Sequence, residues 1–216
     1  MTPPSDGFRA ESSSSEAWFT PVPTGKLRSG MGEPAKRRAT YEDLLSVPEN
    51  RIAEILDGEL VTQPRPASRQ ARAASSLGGE LYGPFDRGRG GPGGWIILDE
   101  PELHLHGDVF VPDLAGWRRS RMPELPDAPA FELAPDWVCE VLSPSTAGVD
   151  RAQKRPIYAR ERVAHAWLVD PIAKTLEAFL LDDARWVVLG TWRNDAKARI
   201  EPFGDIELEL VWLWAS

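Results

Sequence analysis

From Thr40 onward, apolar and polar positions recur with the periods of helices and strands. Thr40 can cap a short helix over 41–46, with Asp43 at the third helical position, close to a capping box. The stretch 51–62 alternates around Ile52, Ile55, Leu56, Leu60 and Val61, and Asp57-Gly58 between its halves is a turn signal, so it predicts a hairpin. Ser68 stands where it can cap a helix through Ala71, Ala74, Leu77 and Leu81, which are spaced at three and four residues. Gly78-Gly79 weakens that helix or lets another backbone approach closely. Strands are expected over 95–98, 103–106, 109–117 and 137–142. A helix over 150–162 follows, its regular part starting just before Pro156, and then strands over 166–169, 175–180, 186–189 and 206–210. Strands interrupted by two helices predict an α/β (α+β) layer design, a mixed central sheet with helices against it.

Residues 1–39 break this pattern. They are rich in Pro, Ser, Gly and charge, with too little periodic apolar content to offset ordering entropy, and so read as a disordered extension. Its Trp18 and Phe19 could dock on the domain formed by 40–216.

Composition changes the picture little. A chain of 216 residues with 42% hydrophobic and 27% charged content fits one ordinary domain plus a tail. A net charge of −8 argues against polyanion binding by bulk charge but leaves room for a local basic rim. The lone Cys139 excludes an intrachain disulfide and a Cys-based zinc cluster, which fits a reducing cytoplasm. No apolar run approaches the roughly 20 residues that span a bilayer. The first residues lack a basic start followed by an apolar stretch, so no secretory signal is expected and the cytoplasm is the expected location.

Candidate chemistry lies in the second half. Val111-Pro112-Asp113 ends an apolar run with an acid, which is also how an ordinary solvated strand end looks. Glu140 sits inside the apolar strand Trp137-Val138-Cys139-Glu140-Val141-Leu142; buried, it needs a cation, a metal or a donor nearby, and on an edge strand it needs only water. On the following helix Arg151, Lys154, Arg155 and Tyr158 share one face, so Lys154 can bring an ammonium to the acids or simply face solvent. Glu54, in the hairpin, can add a further acid or stand exposed. These residue types suit phosphodiester hydrolysis. Carboxylate oxygens hold Mg²⁺ with waters left in its shell, and a lysine orients water or stabilises the pentacovalent state.

Taken in order, Glu54-Ile55-Leu56-Asp57-Gly58-Glu59-Leu60, Pro112-Asp113, Glu140-Val141-Leu142-Ser143-Pro144-Ser145-Thr146, Asp150 with Lys154, Tyr158, and Trp167-Leu168-Val169-Asp170-Pro171 resemble the bacterial Uma-two family. These are restriction-endonuclease-like proteins of the PD-(D/E)XK phosphodiesterase superfamily, and the resemblance runs from about Thr40 to Leu213. It implies a restriction-endonuclease-like mixed sheet with extra antiparallel strands. It implies Asp113, Glu140 and Val141 as the metal-binding positions, Glu54 as an additional acid, and Mg²⁺ or Mn²⁺ as cofactor. The superfamily lysine normally stands two positions after the acid, where this chain has Leu142; in the Uma-two pattern it comes from the next helix, here Lys154. Where family members often carry a histidine, this chain has Gln70.

Other features are weaker. His104 and His106 share a strand face but lack a third ligand nearby, so surface imidazoles are the simpler reading. His165 reads as structural. The Gly-rich stretch 88–94 lacks a following Lys-Ser/Thr and is no P-loop. Arg65, Arg69, Arg72, Arg87, Arg89, Arg118, Arg119 and Arg121 can form a basic rim for a phosphate backbone or a solvated surface. Trp186, Trp192, Trp212 and Trp214 read as core and as a possible dimer seam. The leading expectation is a Mg²⁺-dependent endonuclease acting on DNA as a homodimer. Its alternative is a catalytically silent nuclease fold kept as a nucleic-acid- or protein-binding regulatory module.

Overall fold

A computed structural model describes residues 37–215; the expected N-terminal extension, with Trp18 and Phe19, lies outside the described residues as far as residue 36. Thr40 caps α1 (Tyr41–Leu45) through a capping box with Asp43. The hairpin forms from β1 (Arg51–Leu56) and β2 (Glu59–Pro64). Its two-residue turn places Asp57 and Gly58 at φ 51° and 80°, the left-handed pair that a tight hairpin requires.

The next helix, α2 (Ser68–Leu81), begins one residue away from expectation. Ala67 is its N-cap, and Ser68 is already helical. The capping role passes to Gln70, whose Oε1 accepts the Ala67 N–H at 2.9 Å. A π turn (Tyr82–Asp86) continues α2 before the glycine-rich loop.

Ten further strands and three helices complete the described chain. They are β3 (Trp95–Asp99), β4 (Leu103–Leu105), β5 (Asp108–Phe110), β6 (Leu114–Arg118) and β7 (Trp137–Val141). After α3 (Ala147–Val149), a second π turn (Asp150–Lys154) and α4 (Arg155–Arg160) come β8 (His165–Asp170), β9 (Thr175–Asp182) and β10 (Arg185–Arg193). The short strands β11 (Lys197–Ala198) and β12 (Leu208–Glu209) pair with each other, and α5 (Val211–Trp214) closes the chain.

The main sheet has the order β10-β9-β8-β7-β6-β3, with β7 and β8 parallel and the other pairs antiparallel. A second, antiparallel sheet has the order β2-β1-β5-β4. The stretch 109–117, expected as one strand, is therefore two strands in different sheets. Pro112 has no N–H to give a ladder, and the flanking main-chain groups are claimed by side chains elsewhere, as described below.

Alternation on the central strands sorts side chains into two cores. Trp137, Cys139 and Val141 on β7, with Trp167 and Val169 on β8, join Ala73, Leu77 and Leu81 of α2. Phe203 sits among four rings, with centroids 4.6 Å from Phe85, 4.9 Å from Trp95 and Trp137, and 5.6 Å from Trp167. Val138, Ala166 and Leu168 face the other way, toward Leu56, Phe110, Ile157 and Tyr158. Glu140 shares the parity of Val138, so it points into the layer between the two sheets and α4. Of the tryptophans expected in the core, Trp192 and Trp214 pack against the first cluster and Trp186 against the second, while Trp212 does not. Trp95, Trp117, Trp137 and Trp167 are buried, whereas Trp212 is exposed and Trp186, Trp192 and Trp214 are half-buried.

Candidate active site

The break between β5 and β6 delivers the first acid. Asp113 Oδ2 accepts the main-chain N–H of Val141 at 2.6 Å, which fixes the aspartate against the residue that follows Glu140. The main chain of Val111 is spoken for on both sides: its N–H donates to Glu54 Oε1 at 2.9 Å and its carbonyl accepts from Lys154 Nζ at 3.1 Å. A polypeptide so engaged cannot run on as a ladder, which is why the strand divides here.

Lys154 reaches the site because of the π turn that precedes α4. Pro156 has no N–H to return to the carbonyl four residues earlier, and the helix widens just before it. Within that turn Asp150 and Lys154 both face inward, 3% exposed each, with Nζ 3.9 Å from Asp150 Oδ1. The ammonium lies 2.8 Å from Glu54 Oε1, and 3.2 and 3.3 Å from the two oxygens of Glu140. Glu54 is 1% and Glu140 3% exposed. Gln63 on β2 donates to Glu54 Oε2 at 3.1 Å, and the Tyr158 hydroxyl donates to Glu140 Oε1.

Four carboxylates thus face one ammonium, an imbalance with consequences for every proton in the site. Burial, opposed by the Val141 N–H and by Lys154, pushes the Asp113 carboxyl up to about 6. Burial also raises Glu140 well above its usual range, and the neighbouring acids add to it. Asp150 is raised by burial too, with Lys154 and Thr146 opposing. Burial alone would pull Lys154 down, but Glu140, Glu54 and Asp150 together outweigh it and hold the ammonium well above its ordinary value. The site therefore binds protons in place of missing positive charge.

These groups line one small cleft of about 50 Å³, room for a few water-sized occupants, together with Gln70, Val141, Ser143 and Arg65. All available donors are hard oxygens, and the surplus is negative, which suits Mg²⁺ or Mn²⁺ and does not suit a thiolate metal. Among the described residues, no three His, Cys, Asp or Glu side chains converge to cage an ion unaided. An ion here would rest on few carboxylates, a carbonyl and water, the shell that Mg²⁺ favours.

The structure brings Asp113, Glu140, Glu54, Lys154 and Val141 to one place. It also brings residues that the sequence did not single out for this role. Asp150 and Gln63 are two, the main chain of Val111 is a third, and Gln70 is the fourth, donating from Nε2 to the Val141 carbonyl at 3.1 Å. Gln70 is buried at the start of an apolar helix, a costly place for an amide without partners, and that was its signal.

The shared helical face expected of Arg151, Lys154, Arg155 and Tyr158 divides. Lys154 and Tyr158 turn inward, Arg151 pairs with Glu177 at 2.7 Å, and Arg155 lies over the Phe179 ring. His104 and His106 each meet a carboxylate, Glu102 and Glu161, at 2.6 Å. His165 is half-buried, and burial lowers its imidazole. Of the arginines, Arg119 pairs with Asp86, Arg121 with Asp136, Arg118 covers Trp95 and Arg87 covers Tyr82. Arg65 lines the cleft, and Arg69 and Arg72 line a neighbouring one.

Comparison with known proteins finds the same fold in a solved structure. A crystal structure described as that of a "putative nuclease belonging to DUF820" from Anabaena variabilis ATCC 29413 is 21% identical and superposes with a TM-score of 0.65, covering 82% of this chain and 97% of that one. The family is settled by sequence: the Uma2 model, described as "Putative restriction endonuclease", matches residues 38–211, and the chain belongs to that family. Comparison with curated proteins gives no match. Among the described residues, no helix is long and apolar enough to cross a membrane.

Proposed function

We propose that this protein is a divalent-metal-dependent endonuclease that hydrolyses phosphodiester bonds of DNA in the cytoplasm. The observation that carries this reading is the cleft in which Glu54, Asp113, Glu140 and Asp150 surround the single ammonium of Lys154. Such an excess of buried negative charge calls for a cation that the protein itself does not supply.

Asp113, Glu140 and the carbonyl of Val141 would hold Mg²⁺ or Mn²⁺. Bound there, the ion would supply a water of lowered pKa and screen the charge of the phosphate. The remaining roles belong to the chain. Lys154 keeps its proton at neutral pH, so it serves as a fixed positive charge for the developing pentacovalent phosphate and not as a base. Glu54 holds that ammonium in place from the hairpin, and Tyr158 orients the Glu140 carboxyl. Gln70 occupies one lone pair of the Val141 carbonyl and leaves the other.

Calorimetric titration with Mn²⁺, together with nicking of supercoiled plasmid in Mg²⁺ or Mn²⁺, tests the proposal. Wild type should bind the ion and nick, and Asp113→Ala and Glu140→Ala should do neither; unchanged cleavage in both variants would refute it.

A second reading rests on Lys154. Its contacts with Glu54, Glu140 and Val111 engage the donors an ammonium possesses, which also suits a closed, ion-paired site in a binding module without turnover. That module would keep its DNA or protein affinity with metal chelated.

A further inference from the structure

The acidic cleft opens onto a longer groove. Gln70 and Ser143, which line the cleft, also line a second hollow of about 310 Å³, whose walls include the apolar Leu142, Pro144, Pro171 and Ile172. Ser68, Arg69 and Pro171 are shared in turn with a third hollow of about 610 Å³, where Arg72, Lys174 and Trp214 stand. The three hollows form one groove beside the first turns of α2, and its character changes along its length. It is acidic at the cleft, apolar in the middle, and basic with an aromatic ring at the far end.

The basic end is uncommitted. Arg69, Arg72 and Lys174 are exposed. Among the described residues the side chains of Arg69 and Lys174 have no hydrogen-bond or ion-pair partner, and Arg72 has the Ala215 carbonyl at 3.3 Å. This sets them apart from Arg87, Arg118, Arg119 and Arg121, which rings or carboxylates already engage. The walls around them are held in place. Asp170 Oδ1 accepts the N–H groups of Ile172 and Ala173 at 2.9 and 2.8 Å, bracing the turn that carries Lys174. Trp214 donates its indole N–H to the Asn194 carbonyl at 2.6 Å, so the ring is oriented before any ligand arrives. Three cations without a carboxylate partner, clustered on a chain of net charge −8, are complementary to an anion that the protein itself does not supply.

We infer that this groove takes a single strand of DNA. It leads the strand from the scissile phosphate at the acidic cleft, past Pro144, Pro171 and Ile172, to Arg69, Arg72 and Lys174, with a base against Trp214. The inference rests on the nuclease reading and adds its substrate class, DNA that is unpaired on this side of the scissile bond. A duplex keeps its base faces stacked inside and offers a protein only phosphates and groove edges, so apolar walls and a ring gain little from it. An unpaired strand exposes its base faces, which aromatic and apolar side chains cover whatever the sequence, while cations track its phosphates. The attraction at the far end also offsets the repulsion that the cleft's carboxylates exert on the strand before an ion is bound.

Fluorescence anisotropy of a labelled DNA oligonucleotide with the full-length protein, in EDTA to forbid cleavage, tests the inference. The single strand should bind more tightly than the duplex of the same sequence. Arg69→Ala with Lys174→Ala should weaken single-strand binding by about tenfold. It should also lower the slope of log affinity against log salt by about 1.4, since each phosphate contact to a single strand contributes about 0.7. Trp214→Leu should weaken binding by about tenfold with the slope unchanged, because stacking releases no counterions. Circular dichroism checks that this variant folds, and the double variant, confined to exposed positions, carries the test if it does not. Arg185→Ala with Arg193→Ala removes the same charge from exposed positions on β10 and should leave the slope unchanged.

Tighter binding of the duplex, or no binding of the single strand, overturns the proposal. So does an unchanged slope in Arg69→Ala with Lys174→Ala, or an equal fall in the β10 control. The fate of the nuclease reading is measured separately, by cleavage in Mg²⁺ or Mn²⁺. A wild type that binds the strand through this groove and cuts nothing sinks that reading and leaves the groove as a strand-binding site. Cleavage at the wild-type rate in Arg69→Ala with Lys174→Ala, alongside unchanged affinity, sinks the groove and leaves the metal site standing.

Discussion

The carboxylate of Glu54 meets the ammonium of Lys154 at 2.8 Å, joining the first hairpin to the helix after β7 deep inside the protein. Neither charge has water to fall back on, so the contact ties stability to the candidate chemistry. Lys154→Met leaves Glu54 and Glu140 without their cation and should destabilise the fold by about 3–5 kcal/mol. Thermal or urea unfolding would show this, and Glu54→Gln in the same background should recover part of the loss. A single variant as stable as wild type would contradict the ion-pair account.

Metal uptake should release protons. Asp113, raised by burial to about 6, and Glu140, raised well above its ordinary value by burial first and its neighbouring acids second, hold protons that a divalent ion must displace. Mn²⁺ affinity is expected to rise as pH increases through 6, by about tenfold per pH unit for each proton displaced. Calorimetry in buffers of different ionisation enthalpy measures the number released, and zero protons per ion would contradict the assignment.

The same shift makes a stability statement for the metal-free protein. The folded Asp113 binds its proton up to about 6 and the unfolded chain only up to about 3.8. Between those values the native state holds more protons, so stability falls as pH rises through the window, and the loss is complete above it. Asp113→Asn removes this dependence while keeping an acceptor for the Val141 N–H. At pH 7 it should be more stable than wild type, by something on the order of 1–2 kcal/mol. Denaturation midpoints of the two proteins from pH 4 to pH 8 check the sign.

Gln70 makes two bonds, accepting from Ala67 and donating to the Val141 carbonyl. Gln70→Leu should cost about 1–3 kcal/mol by stranding both partners. Because that carbonyl is a proposed ligand, the variant should also weaken Mn²⁺ binding. Loss of stability with unchanged Mn²⁺ affinity would reduce Gln70 to a helix cap.

How much of this was legible in the sequence depended on whether the signal was local. Asp57-Gly58 announced its hairpin, and Thr40 with Asp43 its cap, because turn and cap chemistry is decided within a few residues. Glu140 was conspicuous as a charge inside an apolar strand. Glu54 was not, since its alternating surroundings fit an exposed strand equally well, and only Lys154 from the π turn, Gln63 from β2 and the main chain of Val111 close over it. The division of 109–117 was hidden for the same reason: Val111 looks like strand until Glu54 and Lys154, both remote in the chain, take its N–H and C=O. Arg151 and Arg155 illustrate the converse. A regular helix would aim them with Lys154, but the widened turn sends them to Glu177 and Phe179 instead.

That widened turn at Asp150–Lys154 carries a consequence for how such a site is tuned. One residue of α-helix corresponds to about 100° of rotation, so deleting Ala152 would swing the amine out of the cleft while hardly lengthening or shortening the backbone. The bearing of the lysine is thus adjustable in single-residue clicks, by insertion or deletion, without redesign of either sheet.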